Sequence, residues 1–168
     1  MNRYKAVLID PYRMVVEDVI LEVRGENYCE DYFNQIAKFI GTDNRGYVQV
    51  DRHTTSWCDD FGLFQPWALQ RFFRVPWYAL PLAGKHLLTG LVWKMNGEGF
   101  EEDHPGDIRH TAAQVYASLR WVDPRDVVVP AISMNGAVLP GQNANKDGNW
   151  DFDHQPHWSS LESAINGG

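Results

Sequence analysis

No stretch of this 168-residue chain approaches the run of about 20 apolar residues that spans a bilayer. The first residues, Met1 to Lys5, lead into an apolar run of only Ala6 to Ile9, too short for the core of a secretory signal. A cytoplasmic protein is therefore expected. Cysteine is scarce: Cys29 and Cys58 stand alone, without C-x-x-C or zinc-knuckle spacing, and read as two reduced thiols. The G-x-S-x-G elbow, the H-E-x-x-H helix and the G-x-G-x-x-G fingerprint are all missing, so serine catalysis has no placed candidate. Basic charge is short as well. Lys and Arg total 15 against 22 Asp and Glu, a net charge of −7. Such a balance disfavours binding nucleic acid by phosphate neutralisation. Nor is acid dense enough for a nucleic-acid mimic, the longest cluster being Glu101-Glu102-Asp103.

What the chain does have is a core. Hydrophobic residues make up 44% of it, enough for one domain. Trp occurs seven times, spread along the sequence, which points to core filling with some use in recognition. Tyr4 to Ile9 reads as a strand stopped by the turn Asp10-Pro11-Tyr12-Arg13, and Met14 to Val23 as its hairpin partner. Glu30 to Ile40 has helical spacing, with Tyr32, Phe33, Ile36, Ala37, Phe39 and Ile40 in one stripe and Gly41 where a C-cap belongs. Gly46 to Val50 reads as a strand, residues 51 to 66 as a loop or irregular hairpin, and Phe72 to Leu82, with Pro76 and Pro81, as an edge or interrupted strand at best. Leu87 to Met95 reads as a strand ended by Asn96-Gly97, and residues 96 to 110 as polar turns. Thr111 and Gln114 form a capping-box pattern ahead of a short helix, Ala112 to Leu119. The expected fold is α+β: a small, mainly antiparallel sheet with one or two packed helices. The expected core spans 1–123. Residues 124–168 form a loop-rich extension packed on it, with a hairpin turn at Asn135-Gly136.

Three local patterns carry a resemblance. They are Ala6-Val7-Leu8-Ile9-Asp10-Pro11, the helix end Ile40-Gly41-Thr42-Asp43, and Pro81-Leu82-Ala83-Gly84-Lys85 followed by Leu87 to Gly90. In this order the chain, over roughly residues 4 to 122, resembles a family of small domains of unknown function encoded mainly by bacteriophages and conjugative elements. That resemblance implies a mobile-element origin, and hence the cytoplasm of a bacterial host; it implies no reaction. His86 stands where the family pattern leads one to expect Gly, and the segment after Asp123 looks like an addition.

Several groups are candidates for chemistry. Gly84-Lys85 lacks the upstream Gly of a phosphate loop, so it reads first as a turn. Lys85, His86 and Arg109 are nonetheless the candidate contacts for an anionic ligand. Asn143, Asn145, Asp147 and Asp151, with Gly148 at the sixth position, match much of a calcium loop, but His154 replaces the bidentate Glu. Without that loop no cofactor is expected. Asp151, Asp153, His154 and His157, with His104 and His110, could supply a metal or acid–base site, although Pro156 interrupts the spacing. The terminal Gly167-Gly168 reads as a frayed tail. The leading expectation is a non-enzymatic accessory protein that binds a host protein, with counter-defence as one such role. The alternatives are a small-molecule or nucleotide binder, and a metal-dependent enzyme built on the C-terminal Asp and His residues. An exposed edge strand could also pair into a homodimer.

Overall fold

The computed structural model describes residues 1–62 and 69–123, together with the backbone of 131–132 and 138–139. The first hairpin is β1 (Asn2–Asp10) and β2 (Val15–Val23), paired in unbroken register from Asn2↔Val23 to Asp10↔Val15. Ala6 to Ile9 are buried on both faces, as a continuous apolar run in a central strand requires. Helix α1 (Glu30–Ile40) buries Tyr32, Ile36, Ala37 and Ile40, while Phe33 and Phe39 of the expected stripe lie at its margin. Gly41 ends the helix at φ 82°, its N–H donating to Ala37 O at 2.8 Å, a left-handed cap that glycine adopts without a Cβ penalty.

The main sheet has six strands. Strand β7 (His86–Met95) is its axis, pairing with β1 on one side and β4 (Thr54–Asp59) on the other, with β3 (Arg45–Asp51) beyond β4. The outer half of β7 pairs with β8 (Glu101–Gly106) through the Asn96-Gly97 hairpin. A second sheet carries β5 (Phe72–Val75) between β6 (Tyr78–Ala83) and β9 (Arg120–Val122). Helix α2 (Ala112–Ser118) opens on the expected capping box, Thr111 with Gln114, which satisfies two N-terminal amides. A separate pair, β10 (Ala131–Ile132) with β11 (Val138–Leu139), completes the described elements.

These elements make three layers and two cores. Ala6, Leu8, Leu21 and Leu87 pack under α1. Val7, Ile9 and Leu88 point the other way, against Phe73, Val75, Leu82 and the α2 residues Ala112 and Val115. The fold is α+β, as its alternating patterns predict. Two local expectations are met in one of their alternatives and a third needs correction. Residues 54–59, expected as a loop or an irregular hairpin, form the second strand of a bulged hairpin with β3, and it is interior to the sheet, with Thr54, Thr55 and Ser56 buried between two neighbours. The 72–83 segment is interrupted, as expected, into two strands at Pro76-Trp77; of the two, β6, which carries Pro81, is an edge and β5 is not. Acidic β8 was expected as turns, and forms a strand through tertiary pairing with β7. No helix among the described residues is long and apolar enough to cross a membrane.

Candidate functional site

Asp10 ends β1 at 1% exposure, and its carboxylate organises the turn that follows. Its Oδ1 accepts the backbone N–H of Tyr12 at 3.0 Å and of Arg13 at 3.2 Å. Its Oδ2 accepts the Arg13 Nε–H at 2.8 Å. Arg13 is itself clamped by both oxygens of Glu17, at 3.2 and 2.8 Å. Burial pushes the Asp10 carboxyl up, but the Arg13 side chain, the two amides and the charge of Lys85 outweigh it and hold it below its ordinary value. The turn reading of Asp10 is thus correct, and the residue is also a buried electrostatic anchor. Replacing Asp10 by Ala is expected to cost about 2–4 kcal/mol, because three donors lose their acceptor. Urea unfolding would measure it. A depressed carboxyl stabilises above the unfolded value and stops doing so as pH falls through the folded one, so Asp10→Asn removes that part of the acid dependence.

Lys85 sits opposite, just after Gly84, which turns the chain from β6 into β7 at φ 75°. The Gly84 N–H donates to Arg71 O at 3.0 Å, fixing the turn. Lys85 Nζ lies 3.9 Å from Asp10 Oδ2, an ionic distance beyond direct hydrogen bonding, and its side chain is 35% exposed. This pair lines a cleft of about 440 Å³. Its walls include Tyr12 and Arg13, the α1 end Ile40-Gly41, Asp59 at the end of β4, and Ala83-Gly84-Lys85. The Tyr12 hydroxyl lies close over Gly84, where a side chain would approach it to 3.8 Å. Burial raises the Tyr12 phenol pKa, against the charge of Arg71 and with the charges of Asp10 and Asp59.

The three sequence patterns, distant along the chain, therefore meet in one place. Asp10 comes from the first, Ile40-Gly41 from the second and Ala83-Gly84-Lys85 from the third. No protein-family model, no curated protein and no solved structure matches this chain.

The other candidate contacts do not join Lys85. His86 follows it in sequence but opens β7 with its side chain buried, 2% exposed, with its Nδ1 2.9 Å from Ser56 Oγ and its ring edge-on to Phe73. Arg109 is exposed beyond β8, next to Ile108, whose N–H donates to Lys5 O. Lys5 and Asp10 are five strand residues apart, roughly 17 Å. The calcium-loop residues Asn143, Asn145, Asp147 and Asp151 lie outside the described residues, as do His154, His157, Asn135-Gly136 and Gly167-Gly168. Among the described residues no three His, Cys, Asp or Glu side chains gather to hold a metal. Sequence reading missed Tyr12, Arg13 and Asp59, since nothing local brings the end of β4 to the end of β1.

Proposed function

We propose that this chain is a small-ligand-binding accessory protein of a phage or conjugative element, and that the Asp10–Lys85 cleft takes an anionic, nucleotide-sized molecule. The convergence of three separate sequence patterns on that cleft carries the reading. Its volume falls within the about 300–1,000 Å³ typical of small-molecule sites. Asp10 already has three close donors and needs none from Lys85, so the ammonium can turn to an incoming phosphate or carboxylate. Asp59 offers an acceptor for ligand hydroxyls, and Tyr12, 49% exposed, offers a ring face. The test is thermal shift against a panel of nucleoside mono-, di- and triphosphates. At least one is expected to raise the melting temperature, and Lys85→Ala to weaken its binding about tenfold or more. A flat response across the panel, or an unchanged affinity in Lys85→Ala, would sink the reading.

A second reading, binding of a host protein, is favoured by a different observation: a groove lined by Tyr28, Phe33, Tyr47 and Trp57 on the same face of the main sheet.

A further inference from the structure

The groove lies beside α1, over the part of the sheet that the helix leaves uncovered. Four rings run in sequence along it. Tyr28 and Phe33 stack with centroids 6.2 Å apart, Phe33 meets Trp57 edge-on at 5.8 Å, and Tyr47 meets Trp57 at 5.6 Å. The floor is Thr55 and Leu91, both buried. Trp57 is held in place by its indole N–H, which donates to Thr89 Oγ1 at 2.9 Å. Tyr47 is 66% exposed, a large aromatic left in solvent at the sheet edge.

One charged group lines the groove. Asp103, on β8, accepts the Tyr28 hydroxyl on Oδ2 at 2.7 Å, and Oδ1 has no hydrogen-bond partner among the described residues. Aromatic faces with a carboxylate at the margin attract cations, through ring quadrupoles and through direct charge. One ring already does so within the chain: the Arg45 guanidinium lies 5.2 Å from the Phe33 centroid. Glu102 continues the acidic strand, Glu101 being paired with Arg52 at 2.7 Å, and the whole chain carries −7. At about 240 Å³ the groove falls below the roughly 300 Å³ where drug-sized pockets begin, and suits the end of one side chain.

We propose that this groove binds the guanidinium or ammonium head of an Arg or Lys side chain presented by an extended segment of a partner protein. It rests on the protein-binding reading of this groove and is independent of the Asp10–Lys85 cleft and of the nucleotide reading.

The test uses the full chain and three probes: the capped pentapeptide Gly-Gly-Arg-Gly-Gly, the same peptide with neutral citrulline for Arg, and choline. Binding is followed by the Trp57 indole N–H resonance, assigned by its loss in Trp57→Phe. The Arg peptide is expected to shift that signal saturably, and the citrulline peptide to bind about tenfold more weakly. Tyr47→Leu, which keeps apolar bulk at an exposed position, and Asp103→Asn, which keeps an acceptor for Tyr28, are each expected to weaken the Arg peptide about fivefold. Neither variant should alter a nucleotide response. Equal binding of the citrulline peptide would overturn the proposal, as would an unchanged affinity in both variants. So would no saturable shift up to about 10 mM peptide. Tighter binding of choline than of the Arg peptide would overturn the peptide assignment in favour of a free quaternary ammonium.

Discussion

Gly90→Ala is expected to cost roughly 3–5 kcal/mol and to leave little folded protein at physiological temperature. Gly90 is buried in the middle of β7, paired with Thr54 of β4 and with Gly106 of β8, just past the Thr89 pairing with Ala6 of β1. A Cβ there would stand 2.2 Å from the carbonyl oxygen of Asp107, 2.3 Å from its carbon and 2.6 Å from the Ile108 nitrogen. All three are backbone atoms, so no rotamer change relieves the clash. Nor can the 107–108 segment withdraw cheaply. Lys5 N–H donates to Asp107 Oδ1 at 2.8 Å, and Ile108 N–H donates to Lys5 O at 3.0 Å. Gly97, with nothing near its absent Cβ, is the control, and Gly97→Ala should change stability far less. Urea midpoints for the two variants decide the matter. Equal and small effects would show that the close approach at Gly90 is not required.

Acidification from pH 6.5 to about 4 is expected to remove up to about 3 kcal/mol of stability through His86 alone. Burial away from water lowers its pKa to about 4, opposed in part by a hydrogen bond with the Ala83 backbone. The unfolded chain takes up the proton near pH 6.5, as an unperturbed His does. Between those values the unfolded state therefore binds more protons than the folded one. Stability is full above pH 6.5, falls as pH drops, and this contribution levels off below about 4. His86→Phe keeps a ring against Phe73 and removes the titration, at the cost of a partner for Ser56. Stability curves from pH 7 to 4.5 should then be flatter in the variant than in the wild type. Parallel curves would mean that His86 titrates alike in the folded and unfolded protein. The result also bears on function. A neutral, buried His86 contributes no positive charge for an anionic ligand, which leaves Lys85 as the cation of that sequence pair.

Much of the local architecture was legible because it rests on short-range chemistry. Ile40-Gly41 announces a helix end, since glycine reaches the left-handed region that the cap needs. Thr111 with Gln114 announces a helix start, since side chain and backbone satisfy each other within four residues. Strands β1 and β7 could be read from β-branched and apolar runs that end at Asp10-Pro11 and Asn96-Gly97. β8 could not. Glu101, Glu102 and Asp103 have poor strand propensity, and only the register with Trp93, Lys94 and Met95 makes them extended.

Both sites divide the same way. Lys85 stood out in the sequence, yet nothing there paired it with Asp10, 75 positions earlier, because antiparallel pairing of β1 with β7 is what brings strand end to strand start. His86 was grouped with Lys85 by adjacency, yet it opens β7 with its ring buried against Phe73, while Lys85 sits in the turn before the strand and lines the cleft. The aromatic groove draws Tyr28, Phe33, Tyr47 and Trp57 from three elements and a loop; their identities were visible, but their assembly was not. By itself the sequence determined the α+β class, the caps, the turns and the residues able to carry charge. Only the tertiary structure decided which of them share a cleft, because strand pairing and helix packing connect residues far apart along the chain, and no local signal encodes those connections.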